Sequence, residues 1–340
     1  MGAHARWDGE GFGLTLHSSY RLLGLSPSSV SGLPAVSLSL GAPPGTDESK
    51  YRAHESSDHM ADSVQDGRRG HVLRDIRYPN GATAMSIEQS PRGDYWIVAP
   101  QFGTHRVDAA GATVSSLPAP GLEPWRWQRL LIGQVLPLLA ALRGYETLHA
   151  SAVVIDGVAF GLLGDPGAGK STLAASLALR GQQLLSDDVL AVSLSSDGLP
   201  LAHRGSLVLT LRPEQGKLAS GLIDAGAAEP LGSEDKQLLT LDAGAAPAAA
   251  PLGALFLLAR EEGKPFGEPR EASVLDLMRF SYIRYVQSPA RLVGQLEVQS
   301  GIAGSVPLVP VCVSASESPS ALAGRLEAHM GALAATRPAP

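Results

Sequence analysis

The chain has 340 residues, which at roughly 150 residues per domain is enough for about two domains with buried cores. Charged residues make up 18% of it, and 33 acidic side chains against 27 basic ones give a formal net charge of −6. This balance argues against a nucleic-acid-binding protein, because such proteins carry a basic surface that meets the phosphate backbone. The 38 glycines and 25 prolines stay below a low-complexity composition, so most of the chain is expected to fold.

Cysteine content and hydropathy predict the compartment. Cys312 is the only cysteine, so it cannot form an internal disulfide, and its apolar surroundings predict a buried strand. The first residues lack the basic start and apolar core of a secretion signal. The longest apolar run, residues 130–142, is shorter than the ~20 residues that a membrane helix needs. These features predict a soluble, cytoplasmic protein with no membrane partner.

Residues 1–120 are predicted to form a smaller, β-rich N-terminal domain whose role the sequence does not indicate. Up to about residue 70, Ser/Gly/Pro clusters and a mixed-charge stretch predict loops with a few edge strands. Short apolar runs between residues 77 and 114 alternate with turn residues and predict a small β-rich unit. The histidines of this region (His54, His59 and His71) are interpreted as a solvated surface, because a spacing of five does not place His54 and His59 on one helix face.

Residues 121–335 are predicted to form an α/β nucleotide-binding domain. A leucine stripe predicts a helix over residues 122–143, kinked at Pro137. Asp156-Gly157 lies between two β-rich runs and predicts a hairpin. The Ala-rich tract 243–250, within residues 225–251, is predicted as a flexible loop. Further strands are expected at 189–194, 206–211, 252–259 and 308–313, and helices at 272–286, 288–299 and 318–334.

A glycine-rich motif is the strongest chemical signal in the sequence. It consists of Gly164, Asp165, Pro166, Gly167, Ala168, Gly169, Lys170 and Ser171, between a predicted strand and a predicted helix. The pattern is typical of a phosphate-binding loop, in which glycines let backbone N–H groups turn toward phosphate oxygens. The lysine of such a loop reaches the β- and γ-phosphates, and the Ser171 hydroxyl is the natural ligand for Mg²⁺.

Two adjacent carboxylates, Asp187 and Asp188, follow this loop at a short apolar strand. Neighbouring residues in a strand point to opposite faces, so one carboxylate could face the nucleotide and Mg²⁺ while the other faces elsewhere. Phosphoryl transfer needs a metal-facing carboxylate and often a base for the attacking hydroxyl. His149 precedes the hairpin. It is either structural or close enough to hydrogen-bond one of the aspartates and tune the base.

Together these residues resemble the kinase domain of HPr kinase and its serine-kinase relatives, nearest to those of lasso-peptide biosynthesis. The shared features are Leu148-His149-Ala150-Ser151-Ala152-Val153, the loop GDPGAGKST at 164–172, and the run from Arg180-Gly181 to Asp188. The resemblance is strongest over residues 145–200 and extends to about residue 315. It implies an HPr kinase-like, PEP carboxykinase-like P-loop fold.

The resemblance also implies an activity, a Mg²⁺-dependent transfer of the γ-phosphoryl group of ATP to a hydroxyl. The expected acceptor is a serine of a peptide or protein, such as a lasso-peptide precursor. Asp188 is expected to be the base, supported by Asp187 and His149, with Ser171 and Asp187 on the metal. Loop residues 164–172, including Thr172, are expected to bind the nucleotide, and Arg212 and Lys236 to clamp phosphates or substrate. Relatives often form oligomers, so a homo-oligomer is compatible with the resemblance.

Two departures from the family affect the expected acceptor and the phosphate-binding loop. HPr kinases proper carry Glu where this chain has Thr172, and their C-terminal signature has no match here, so HPr is not the expected acceptor. Pro166 occupies a loop position that is usually Ser, which removes one backbone donor from the phosphate cradle. The alternatives are a kinase that acts on a small-molecule hydroxyl and a nucleotide-binding ATPase switch.

Overall fold

The computed structural model describes residues 6–28, 32–41, 70–242 and 246–336. Its architecture is mixed α/β, with two nine-stranded sheets and one three-stranded sheet. His54 and His59 lie outside the described residues, whereas His71 begins an exposed strand.

The first sheet is built from the N-terminal third of the chain. Its order is β3-β1-β2-β4-β9-β8-β7-β6-β5, and pairing is antiparallel except where β4 meets β2 and β9. The strands are β1 (Trp7–Gly11), β2 (Leu14–Ser18), β3 (Ser26–Pro27), β4 (Ala35–Leu40), β5 (His71–Arg77), β6 (Thr83–Gln89), β7 (Tyr95–Ala99), β8 (Gly103–Val107) and β9 (Thr113–Pro118).

The prediction of loops and edge strands before residue 70 is wrong for the described part of that region. Strand β4 lies inside the sheet, between β2 and β9. In β2, Leu14 and Leu16 are fully buried and alternate with half-buried polar residues. Such alternation marks a strand with one buried face, and over only five residues it is a weak signal in a polar sequence. The β-rich unit predicted for residues 77–114 is confirmed.

A three-part helix covers the first sheet. Helix α1 (Pro124–Leu130) runs into a π-helical turn (Leu131–Val135) and then into α2 (Leu136–Leu142). The predicted irregularity at Pro137 takes the form of this turn, which precedes the proline and leaves it in the first turn of α2. Leu131, Leu138 and Leu139 are fully buried against the sheet.

The second sheet forms the centre of the remaining chain. Its order is β10-β14-β15-β19-β12-β11-β13, with β21 added on β19 and β20 on β21. The strands are β10 (Glu146–Leu148), β11 (Ser151–Ile155), β12 (Val158–Gly164), β13 (Gln183–Ser186), β14 (Leu190–Leu194), β15 (Pro200–His203), β19 (Ala249–Ala259), β20 (Arg270–Glu271) and β21 (Pro307–Cys312). The hairpin at Asp156-Gly157 is confirmed, and both residues have the positive φ of a type I′ turn.

Helices lie on both faces of this sheet. Helices α3 (Lys170–Leu179), α4 (Gly216–Asp224) and α7 (Pro319–Ala335) share one buried cluster with it, and α5 (Val274–Phe280) and α6 (Pro289–Ser305) share another. The helix predicted for 272–286 is shorter than expected, because the chain turns at Ser281 to pair with β10, with Tyr282 N donating to Thr147 O at 2.7 Å. Cys312 ends β21 half-exposed, not buried as predicted.

The third sheet has the order β16-β18-β17, with strands β16 (Val208–Leu211), β17 (Ala228–Ser233) and β18 (Gln237–Leu241). The sequence did not predict the last two, which lie in residues 225–251. In the Ala-rich tract, residues 243–245 lie outside the described residues, while Ala249 and Ala250 begin β19 rather than a loop.

The first sheet is joined to the second through a buried ion pair. The guanidinium of Arg204, just after β15, contacts the carboxylate of Glu10 in β1, and both side chains are buried. Backbone bonds reinforce the junction, since Phe12 N donates to Arg204 O at 2.6 Å and Leu207 N to Gly24 O at 2.8 Å. The division at residue 120 stays a prediction. Among the described residues no helix has the length and apolar character to cross a membrane.

Candidate functional site

The glycine-rich loop (residues 164–171) connects the fully buried strand β12 to helix α3. Gly164, Gly167 and Gly169 have φ of +152°, +86° and +108°, which L side chains rarely adopt. At Gly164 a Cβ would also lie 2.8 Å from Ala168 Cβ and 2.9 Å from Leu258 O. The loop conformation therefore depends on glycine, and it brings the N-terminus of α3, with its unpaired N–H groups, to the end of β12.

Lys170 lies at the first position of α3 and is only 7% exposed. Its Nζ donates to Gly164 O at 2.8 Å and approaches Asp165 O at 3.5 Å, so the ammonium group lies within the curve of the loop. Burial lowers the pKa of Lys170, while the nearby carboxylates of Asp188, Asp187 and Asp165 act in the opposite direction. A buried cation at this place suits a phosphate ligand, which would replace the loop carbonyls as its partner.

Asp187 is a buried carboxylate in contact with the loop. It is 3% exposed and accepts a hydrogen bond from Ser151 Oγ at 2.5 Å. Burial raises the pKa of Asp187 above its usual value, and the hydroxyls of Ser151 and the nearby Ser171 offset part of that rise. Ser151, which the sequence analysis did not single out, comes from β11.

The side chains of the two aspartates point in different directions, but not because they alternate along a strand, as predicted. They lie on a bend after β13, not in a strand, and Asp188 has a φ of +68°. This left-handed backbone turns the Asp188 side chain outward, where it is 57% exposed, while Asp187 stays buried. One carboxylate therefore faces the loop and the other faces solvent.

His149 holds the exposed carboxylate in place. Its Nδ1 lies 3.3 Å from Asp188 Oδ1 and 3.1 Å from Asp188 O. The imidazole stacks on Tyr282 with 6.0 Å between ring centroids, and His149 N donates to Phe280 O at 2.7 Å. Tyr282 is fixed in turn, because its hydroxyl donates to Gly133 O at 2.8 Å. The predicted proximity of His149 to the aspartate pair is what the structure shows.

Three arginines surround the loop. The guanidinium of Arg279 on α5 pairs with the Asp165 carboxylate at 2.7 Å, and Arg260 Nε donates to Gly167 O at 2.7 Å. A Cβ placed on Gly167 would lie 3.8 Å from Arg212 Nη2, so Arg212 lies beside the loop, and its contact with phosphate or substrate stays a prediction. Arg260 follows β19, which runs parallel to β12. The rule that ligands bind at the carboxyl ends of parallel strands would have identified it.

Thr172 contacts a neighbouring side chain outside the glycine-rich loop, and Lys236 lies in a turn of the third sheet. Gln215 Nε2 donates to Thr172 Oγ1 at 2.6 Å, and Gln215 Oε1 accepts from Arg212 N at 2.9 Å, so Thr172 helps to anchor Arg212. Lys236 lies in the turn between β17 and β18, where its carbonyl accepts from Glu234 N at 3.1 Å. Within the described residues, Lys236 is hydrogen-bonded in this turn and makes no hydrogen bond or ion pair with the glycine-rich loop.

The donor set fits a magnesium–nucleotide complex. The loop offers N–H groups at a helix N-terminus and one buried ammonium, which suit phosphate oxygens. The Ser171 hydroxyl is close enough to the Asp187 carboxylate to lower its pKa, so one cation could contact both. Among the described residues no three His, Cys, Asp or Glu side chains cluster as a metal site. Mg²⁺ suits such a site, because it binds through one or two carboxylates, substrate phosphates and water.

Replacing Asp187 with Asn should stabilise the protein while weakening this site. Since folding raises the pKa of Asp187, the folded chain holds the proton more tightly, and stability falls as pH rises from 3.8 to the raised value. At about pH 8 without Mg²⁺, Asp187→Asn is therefore expected to increase the free energy of unfolding. Urea denaturation would measure this, with Asp197→Asn in an exposed turn as the control. A destabilised Asp187→Asn protein would show that the ionised carboxylate is favourable in the fold.

Comparisons with known proteins give a limited result. The sequence matches no protein-family model, and no curated protein is significantly similar to it. Among solved structures, it is similar to the Hpr(Ser) kinase/phosphatase from Coxiella burnetii, with a TM-score of 0.33 and 15% sequence identity. That similarity covers 54% of this chain and 90% of the other.

Proposed function

We propose that this protein is an ATP- and Mg²⁺-dependent kinase that transfers the γ-phosphoryl group to a serine hydroxyl of a peptide or protein. The observation that carries the proposal is the different placement of the two aspartates. Asp187 is buried against Ser171 and the loop, whereas Asp188 is exposed and held by His149. Phosphoryl transfer to a hydroxyl commonly uses one carboxylate at the metal and one at the acceptor.

Each residue of the site has a part in the proposed reaction. Lys170 and the loop N–H groups bind the nucleotide phosphates, and Arg212 and Arg260 lie where they can stabilise further negative charge. Ser171 and Asp187 would hold Mg²⁺, which, when bound, neutralises charge on the transferred group. His149 is a positioning residue, because it orients Asp188 without itself reaching the loop.

Asp188 is the base in this proposal. It accepts the proton of the serine hydroxyl while the serine oxygen forms a bond to the γ-phosphorus. The bond between that phosphorus and the oxygen bridging to the β-phosphate breaks, and ADP leaves with the electron pair. The products are phosphoserine, ADP and one proton, which Asp188 releases to solvent through its exposed side. General-base assistance of this type typically contributes about 10²–10⁴-fold.

The choice of a peptide or protein serine as the acceptor comes from the family resemblance. The most specific acceptor that it suggests is a serine near the C-terminus of a short precursor peptide. The test is intact-mass spectrometry of capped serine peptides incubated with the protein and ATP, with and without Mg²⁺. A gain of one phosphate, about 80 Da, only when Mg²⁺ is present would support the proposal. ADP formation without a phosphorylated peptide would refute the peptide acceptor and favour a small hydroxyl acceptor or an ATPase switch.

A further inference from the structure

A cavity of about 360 Å³ opens beside Asp188. Its wall combines three parts of the chain, namely the first sheet, helix α1 with its π-helical turn, and the three-stranded sheet. Asp187 and Asp188 line it together with Val189. Whatever occupies the cavity is therefore adjacent to the carboxylate that the proposed reaction uses as its base.

The wall is largely apolar and has little charge to offer a ligand. Its large side chains include Phe12, Met85, Phe102, Trp125, Leu231 and Leu238. Apart from the two aspartates, the charged lining residue is Arg129, whose Nη1 is paired with Glu234 at 2.8 Å. An anionic occupant would meet the aspartates without a spare cation, and burying an uncompensated charge is costly. The apolar lining therefore favours an apolar group over an anionic one.

One polar group in the wall lacks a partner. Gln134 Nε2 donates to the Tyr282 hydroxyl at 2.6 Å, but Gln134 Oε1 is buried with no hydrogen-bond partner within the described part of the chain. Gln134 lines the cavity beside Gly133 and Tyr282.

We infer that this cavity is the acceptor site, and that it takes a serine peptide in which the residue next to the serine is aromatic or aliphatic. The inference rests on the proposed kinase function and adds to it a preference for the residue next to the acceptor serine. At about 360 Å³ the cavity is near the lower end of the ~300–1,000 Å³ range of ligand sites, so it accommodates one compact side chain rather than a long segment. Since Phe12, Met85 and Phe102 belong to the first sheet or its turns, the N-terminal part of the chain recognises the acceptor.

A pair of glycine substitutions tests the inference. A Cβ added to Gly133, which lines the cavity, meets no atom within 4 Å, so Gly133→Leu should fill the cavity without a clash in the wall. Gly331 on α7 is also helical and half-exposed, and a Cβ there meets nothing within 4 Å. Gly331→Leu is therefore the matched control, and both variants should gain helix propensity.

The probes are acetylated, amidated pentapeptides with serine at the centre, preceded by Phe, Leu, Asp or Lys. We expect the wild type and Gly331→Leu to phosphorylate the Phe and Leu peptides about tenfold faster or more than the charged ones. Gly133→Leu should lose this preference while its affinity for ATP is unchanged. Equal rates for all four peptides, or a preference that survives in Gly133→Leu, would overturn the acceptor site and leave the kinase function standing.

Peptide binding separates the two proposals. Quenching of Trp fluorescence by each peptide is measured with Mg²⁺ and a non-hydrolysable ATP analogue, since Trp125 lies in the cavity wall. Selective binding of the Phe and Leu peptides that Gly133→Leu abolishes, without any phosphate transfer, would refute the kinase function but keep the cavity as an apolar peptide site. Neither transfer nor selective binding would refute the cavity proposal as well.

Discussion

Asp188→Asn is expected to lower kcat for phosphate transfer by about 10²–10⁴-fold, because the amide cannot accept the proton of the acceptor hydroxyl. Asn is the appropriate replacement, since it tolerates the left-handed backbone at this position better than other residues without a carboxylate. The bond between His149 Nδ1 and the backbone carbonyl of residue 188 should also persist. The affinity for ATP should change by about twofold or less, so the loss should fall on kcat rather than on nucleotide binding.

The control for this variant is Asp197→Asn. Asp197 is an exposed aspartate in the turn between β14 and β15, remote in sequence from the glycine-rich loop. Steady-state kinetics and titration calorimetry with an ATP analogue would be compared for both variants. Retention of more than about a tenth of the wild-type kcat by Asp188→Asn would exclude Asp188 as the base.

Lys170→Ala should weaken the binding of ATP itself, whereas Asp188→Asn should lower kcat and leave ATP affinity nearly unchanged. A buried ammonium in a charge-assisted contact with phosphate contributes roughly 1.5–3 kcal/mol, so the Kd for ATP should rise by about 10- to 100-fold. Phosphate transfer should become undetectable at ATP concentrations that saturate the wild type.

Lys217→Ala is the matched control, since Lys217 is an exposed lysine on α4. Calorimetry with the same ATP analogue measures Kd for both variants, and circular dichroism checks that both are folded. A folded Lys170→Ala protein with wild-type affinity would show that the glycine-rich loop does not bind phosphate.

The parts of the site that sequence could predict are those encoded in short segments. The loop is one such part, because its glycines, Lys170 and Ser171 are adjacent in the chain and their backbone demands are local. The proximity of His149 to the aspartates was an expectation that required the family resemblance. From the residues alone it depended on β11 lying beside β12 and β13, which is a tertiary arrangement.

The rest of the site depends on contacts between distant residues. Ser151 reaches Asp187 across 36 positions, and Arg279 reaches Asp165 across 114. Tyr282 became available only because α5 stops early and the chain pairs with β10. The predicted helix over 272–286 would have placed that tyrosine elsewhere. No local pattern encodes such a termination, because the stabilising partner is a strand more than a hundred residues away.

Prediction of the fold was least successful where strands are short. Strand β17 carries exposed residues, and β18 is buried at Leu238 and Leu239 only. Their stability comes from pairing within the three-stranded sheet and from contact with neighbouring helices, neither of which a period-two pattern reveals. The same pairing makes a wall for the cavity, so β17 and β18, which the sequence did not predict, are also part of the proposed acceptor site.

The buried pair of Glu10 and Arg204 has a consequence for how such a molecule can change over evolution. Its two charges come from opposite halves of the chain, and removal of either one would leave the other buried without its ion-pair partner. Replacement of the N-terminal half by an unrelated sequence would remove Glu10, so the two halves are expected to change together in evolution. In the proposed kinase, new acceptor selectivity would then arise by point substitutions in the cavity wall rather than by exchange of modules.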